Sequence, residues 1–132
     1  MAYYFKTTVN GDFNAIEKKV INLLKNEGFG VLTEIDMQQT LKKKLDVDFR
    51  NYKILGACHP SSAYKALVAE DKIGTLLPCN VIIQEHKPNT IEVSAVNPLV
   101  SMQAINNDAI ENVAKEVTLK LKNVINNLKD EK

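Results

Sequence analysis

Two short strings in the middle of the chain combine residue types that could carry chemistry. Cys58-His59-Pro60 lies at the end of a predicted strand and leads into a predicted helix. Backbone N–H groups and the helix dipole at such a junction favour a thiolate at Cys58 or a bound anion. Leu77-Pro78-Cys79-Asn80 follows in the next predicted strand, where a proline is typical of an edge or a bulge. If the two strands are neighbours, Cys58 and Cys79 can line one pocket.

Each cysteine also has a structural interpretation. A small buried thiol behaves as an apolar core residue, and His59 would then serve only to cap the following helix. The alternative is a redox pair formed by Cys58 and Cys79, which a cytosolic compartment would keep reduced for most of the time. The residues alone leave both interpretations open.

A metal site is a third interpretation of the same residue types. The potential ligands are Cys58, His59, Cys79 and His86. Adjacent strand residues such as Cys58 and His59 point to opposite faces, so they converge only if the chain turns between them. The sequence contains no C-x-x-C or H-x-x-x-H spacing of the kind that zinc sites use. We therefore predict no metal site and no cofactor.

The acidic residues favour structural roles. The acidic candidates are Glu34, Asp36, Glu70, Asp71 and Glu85. Paired carboxylates can act in acid–base catalysis when they are buried together, but these lie at predicted helix ends or on solvated strand faces. No dinucleotide-binding, Walker or G-x-S-x-G motif is present, so no catalytic residue is assigned. The candidate ligand-binding residues are Cys58, His59, Glu70, Cys79 and Asn80.

Composition excludes several classes of partner. The 132 residues include 17 basic and 16 acidic side chains, which gives a net charge of +1 and no field for attracting nucleic acid. Aromatic residues make up 6% and include no tryptophan, so a stacking platform for single strands is not expected. No apolar run approaches the roughly 20 residues that span a bilayer. The first residues lack the pattern of a signal peptide, and we expect a cytoplasmic protein without nucleic-acid or membrane partners.

Apolar periodicity predicts nine elements in one domain that covers residues 1–132. Alternating residues favour strands, and spacings of three and four favour helices. Strands are predicted at residues 3–9, 29–35, 52–58, 76–85 and 91–96. Helices are predicted at about residues 13–24, 37–45, 60–70 and 108–128.

The element order β-α-β-α-β-α-β-β-α predicts an α+β fold. We expect a single mixed or mostly antiparallel sheet with helices mainly on one face. The last helix carries an apolar stripe along about five turns, and its length, on the order of 30 Å, would cross a small sheet. A sheet with one uncovered apolar face is often buried in a dimer, so we expect a homodimer.

Several strings resemble the domain of unknown function 302 family. Its first block resembles residues 30–36 and 40–45, and its second block resembles residues 54–60 with Ala63, Ala66-Leu67, Glu70 and Ile73-Gly74. Its most specific string is similar to Leu76-Leu77-Pro78-Cys79-Asn80-Val81, and Ala95, Pro98 and Met102 resemble its closing positions. The resemblance covers about residues 7–128. The chain departs from the family at Asp46, where a glycine is usual.

The resemblance implies a fold like that of the TATA-box-binding protein, without its DNA-binding role, and a homodimer. It implies no activity. The residues therefore leave three hypotheses. The first is a non-catalytic homodimer that binds a small ligand or anion near Cys58 and Cys79. The second is a thiol-redox or thiol-transfer protein that uses the same two cysteines, and the third is a purely structural or interaction dimer.

Overall fold

Five strands and five α-helices make up residues 1–130, the part of the chain that this computed structural model describes. The strands are β1 Tyr4–Asn10, β2 Gly30–Asp36, β3 Tyr52–Cys58, β4 Cys79–Lys87 and β5 Thr90–Val96. The helices are α1 Phe13–Asn26, α2 Met37–Leu45, α3 Pro60–Ala69, α4 Pro98–Ser101 and α5 Asp108–Asp130. A 3₁₀ turn, Asp71–Leu76, follows α3. The last two residues of the predicted domain, 131 and 132, lie outside the described range.

Short polar side chains determine where several helices begin. The Asp12 carboxylate accepts a hydrogen bond from the Ala15 N–H at 3.0 Å, and the Asp36 carboxylate accepts one from the Gln39 N–H at 3.0 Å. Each bond satisfies a backbone donor that the first turn of a helix leaves without an intrahelical partner. The predicted starts of α1 and α2 are therefore confirmed.

Asp46 ends α2 in the left-handed conformation, with φ 54° and ψ 38°. Glycine adopts this conformation most readily, and aspartate is one of the few other residues that tolerate it. Asp46 therefore ends α2 in a conformation that a glycine at this position could also adopt.

All five strands form one antiparallel sheet in the order β1-β5-β4-β3-β2. The β4–β5 hairpin lies in the middle, with β1 beside β5 and β3 beside β4, and β2 on the far edge. The predicted α+β class and its element order are confirmed. The short helix α4 is additional; it starts where the Asn97 side chain accepts a hydrogen bond from the Leu99 N–H at 3.1 Å.

One face of the sheet packs against α1 and α5. The apolar stripe of α5 is buried along its whole length, at Ile110, Val113, Val117, Leu121, Val124 and Leu128. It packs with sheet residues that alternate on the same face, including Val81, Ile83, Val93 and Ala95. Within residues 1–130, no helix is long and apolar enough to cross a bilayer.

The other face of the sheet, which we call the open face, lies opposite α1 and α5. Alternation places Tyr4, Ile35, Ile54, Asn80 and Ile82 on this face. Ile35 is 44% exposed and Tyr4 36%. A five-stranded sheet therefore keeps part of an apolar surface in contact with solvent.

The start of β4 differs from the prediction. The strand begins at Cys79 and not at Leu76, because Pro78 has no N–H to donate to a neighbouring strand. The peptide bond between Leu77 and Pro78 is cis. Pro78 was expected to mark an edge strand or a bulge. The edge is wrong, since β4 pairs with β3 on one side and β5 on the other, and the register of β4 is regular next to Pro78. The proline is tolerated because it lies just before the first paired residue.

Gly56 permits a close approach of two side chains at the same end of the sheet. A Cβ atom at this position would collide with Oγ1 of Thr33 and would lie 2.8 Å from Cγ of Pro78. Thr33 is paired with Gly56 in the β2–β3 ladder, and the ring of Pro78 limits how far its Cγ atom can move. A side chain at position 56 would therefore force at least one of these neighbours to shift.

We expect Gly56→Ala to destabilise the fold by about 2 kcal/mol or more, the usual cost of overpacking. Gly74→Ala is the matched control because no atom lies within 4 Å of the Cβ it would add, and we expect a change within about 0.5 kcal/mol. Urea denaturation of the two variants measures both values. Equal stability of the two variants would contradict the packing described for Gly56.

Candidate functional site

A cavity of about 310 Å³ lies where the ends of β3 and β4 meet the helices. Its walls are almost entirely apolar. They are contributed by β3 and β4 (Ala57, Cys58, Cys79), by α3 and the residue before it (His59, Ser62, Ala63, Ala66, Leu67), by α4 and its end (Pro98, Met102), by α5 (Val113, Ala114, Val117) and by neighbouring segments (Leu32, Gly74, Leu77, Pro78). The cavity is therefore built by the junction of the sheet with three helices.

Cys79 is a buried wall of this cavity. It pairs with Ala57 in the β3–β4 ladder, which brings it next to Cys58, and both thiols are free. Burial raises the pKa of the Cys79 thiol to about 11, and negative charge at Cys58 contributes to the same shift. Removal from water disfavours a thiolate, so Cys79 is a neutral thiol at physiological pH. Cys58 is half-buried.

His59 occupies the N-cap position of α3, but its side chain makes no capping hydrogen bond. Its Nδ1 atom lies 2.9 Å from Oγ of Ser62, a residue that is only 1% exposed. Its ring packs edge-on against Phe29, with 5.2 Å between the centroids. Burial lowers the pKa of the imidazole, and the positive charge of Lys120 lowers it further. His59 is therefore held as a neutral ring that contributes to the wall of the cavity.

Gly28 creates the space that this ring occupies. It ends the turn after α1 with φ 89°, a conformation that side chains rarely adopt. A Cβ atom here would lie 3.0 Å from Nε2 of His59. The contact between Gly28 and His59 depends on the tertiary structure, because the two residues are far apart in the sequence.

The structure brings together three of the five candidate residues. Cys58, His59 and Cys79 line the cavity. Glu70 does not; it is the C-cap of α3, where its N–H donates to the Ala66 carbonyl at 2.8 Å. Asn80 also lies elsewhere, because it follows Cys79 in the strand and points to the open face, where it lines a separate groove of about 390 Å³.

Several cavity residues were not among the candidates. Ser62 lines the cavity, and its Oγ atom contacts Nδ1 of His59. Val113 and Val117 belong to the apolar stripe of α5, whose pattern predicts burial but not a cavity. Leu32 carries no signal in the sequence that sets it apart from other strand residues.

A charged cluster lies on the helix-covered side of the sheet, away from the cavity. Nζ of Lys53 lies 3.0 Å from Oε1 of Glu17, a residue that is 8% exposed. A hydrogen bond with Glu17 raises the pKa of Glu34, and burial raises it further. This cluster joins α1 to β2 and β3, and it contains no side chain that lines the cavity. Among residues 1–130, no group of three or more His, Cys, Asp and Glu side chains could hold a metal ion.

We expect the Cys79 thiol to react slowly with alkylating reagents. With a pKa of about 11, roughly one Cys79 thiol in a thousand is ionised at pH 8, and only the thiolate reacts. In Cys58→Ser, where Cys79 is the single thiol, iodoacetamide alkylation should be at least about a hundredfold slower than that of free cysteine, and its rate should still rise between pH 8 and pH 10. Mass spectrometry measures the rate.

Cys79→Ser is the matched control, in which Cys58 is the single thiol. Alkylation of Cys79 at the rate of free cysteine would contradict the buried neutral thiol and would restore the redox hypothesis.

Comparisons with known proteins agree with this architecture. A solved structure described as that of an uncharacterized conserved protein DUF302 from Bacillus stearothermophilus is similar to this chain, with a TM-score of 0.87 and 24% sequence identity. The similarity covers 96% of this chain and 98% of the other, and at this identity it shows the fold alone. A comparison with curated proteins found no match.

The family comparison is the more specific result. The model of the family described as "Domain of unknown function DUF302" matches residues 5–128, which include both strings singled out in the sequence and all the residues that line the cavity. The chain therefore belongs to the DUF302 family.

Proposed function

We propose that this protein is a binding domain that holds a small, largely apolar molecule in the cavity beside Cys58 and Cys79. One observation carries the proposal: apolar side chains from the sheet and from three helices enclose about 310 Å³, with few polar groups among them. That volume lies at the lower end of the range for small-molecule sites, which are concave and mostly apolar. The ligand would bind mainly by losing its contact with water.

The walls favour a neutral ligand over an anion. Burial holds Cys79 as a thiol and lowers the pKa of His59. The low polarity that disfavours these charged forms would also disfavour a bound anion. Of the ligand classes considered from the sequence, a small apolar molecule therefore has more support than an anion.

The same groups favour binding over catalysis. The titratable side chains at the cavity are Cys58, His59 and Cys79, and two of them are held in their neutral forms. The thiol-redox alternative needs a thiolate at one of the cysteines, and the raised pKa of Cys79 gives it no support. We propose that the protein acts in the cytoplasm, where reducing conditions would keep both thiols free.

Filling the cavity tests the proposal. Ala63 is half-buried on α3 and lines the cavity, so Ala63→Leu should reduce the room for a ligand without a large loss of stability. We expect a neutral, apolar fluorescent probe such as N-phenyl-1-naphthylamine to bind the native protein. The variant should weaken the binding of the neutral probe about tenfold or more, since a single displaced contact group is worth 1–3 kcal/mol.

Ala109→Leu is the matched control, because it adds the same side chain at an exposed helical position away from the cavity. It should bind the neutral probe as the native protein does. Equal affinity of the native protein and Ala63→Leu would refute the assignment of the cavity as the binding site, and so would failure of the neutral probe to bind the native protein at all.

We also propose that the chain forms a homodimer through the open face. The support is the apolar surface that the sheet leaves uncovered, which includes Tyr4, Ile35, Ile54 and Ile82. Ile35, Ile54 and Ile82 are paired neighbours on β2, β3 and β4 and form one apolar row, and exposed apolar surface is a common feature of interfaces. Two copies related by a twofold axis could cover each other's sheets with the same surface.

A single charge on this face should disrupt the dimer. Ile35 is 44% exposed, so Ile35→Lys should leave the monomer folded but place an unpaired cation in the interface. Native mass spectrometry should find a dimer for the unmodified protein and a monomer for this variant. Leu119→Lys, at an α5 residue that is 65% exposed, should remain a dimer. A monomeric native protein would refute the homodimer.

A further inference from the structure

Leu32 occupies an irregular position in the sheet beside the cavity. The β2–β3 ladder pairs Val31 with Ala57 and then Thr33 with Gly56, so Leu32 is an extra residue without a partner in β3. Such a β-bulge redirects the side chain of the extra residue. The Leu32 side chain lines the cavity and is also 66% exposed to solvent.

Leu67 has the same double character on another element. It lies on α3, lines the cavity and is 45% exposed. We call these two residues the lip. A single exposed leucine is ordinary on a protein surface. Here two exposed leucines from different elements share the boundary of one cavity, and they extend its apolar wall, formed inside by Ala66, Cys79 and Val117, out to the protein surface.

We propose that the ligand is an extended alkyl chain that fills the cavity with one end and crosses the lip with the other. This inference rests on the binding function proposed above and specifies its ligand class. A compact apolar ligand would occupy the cavity alone and would leave the lip exposed. An alkyl chain buries the cavity wall and the lip together, and its polar end emerges into solvent beyond Leu32 and Leu67, where the cavity needs no buried polar partner for it.

The inference has a quantitative signature in a homologous series. Each methylene group transferred from water contributes about 0.8 kcal/mol, which is about a fourfold increase in affinity. In the series from 1-hexanol to 1-decanol, affinity for the native protein should rise by about this factor with each added methylene group. Isothermal titration calorimetry, or displacement of the neutral fluorescent probe, measures it.

Substitution of a lip residue should weaken the binding of the longer alkanols alone. In Leu32→Ser, 1-hexanol should keep its affinity because the cavity holds it without the lip. For the longest alkanols, each added methylene group should increase the affinity little or not at all. Leu119→Ser is the matched control, an equally exposed leucine on α5 that does not line the cavity. It should reproduce the native series.

The outcomes separate this inference from the proposed function. If 1-hexanol binds and Ala63→Leu weakens it, but longer alkanols bind no more tightly, the cavity is a binding site and the alkyl-chain inference is wrong. An unchanged series in Leu32→Ser would also overturn it. If Leu32→Ser changes the number of subunits found by native mass spectrometry but leaves the alkanol affinities unchanged, the lip is a contact between copies of the chain. If no alkanol and no neutral probe binds, the proposed function itself fails.

Discussion

Burial of the α5 stripe against one face of the sheet is the interaction on which the rest of the structure depends. The stripe spans Ile110 to Leu128 without a break in its burial, and the helix contacts α1, α3, α4 and two strands. Because one long element lies against so many others, it fixes the distance between α3 and the sheet. The cavity is the space that remains where α3 and α4 meet that helix beside the ends of β3 and β4. Its volume is a property of this packing and not of any one motif.

The same burial determines the chemistry that the site can support. Cys79 begins β4 in the wall of the cavity, and its removal from water raises the pKa of its thiol, which disfavours the reactive thiolate. His59 follows the same rule, since removal from water disfavours its protonated form. Two residue types that often indicate reactivity therefore become parts of an apolar wall.

Much of the fold was predictable because its signals are local. The caps at Asp12 and Asp36, the alternation of the strands and the stripe of α5 depend only on neighbours in the sequence. The position of β4 in the middle of the sheet was not predictable, because strand order depends on contacts between distant segments. The sequence did contain the information that separates Cys79 from Asn80: adjacent strand residues point to opposite faces. We used that rule against a metal site, and it also predicts that Cys79 and Asn80 cannot line the same ligand site. The contact between Gly28 and His59, and the bulge at Leu32, had no local signal.

The bulge at Leu32 has a second consequence, for the solubility of the sheet. The β2 strand is an outer strand, and the backbone groups on its free side could pair with the strand of another molecule. An extra residue in this strand breaks the regular repeat of N–H and C=O groups that such pairing requires. The irregularity that turns Leu32 towards the cavity therefore also makes this border of the sheet a poor template for edge-to-edge aggregation.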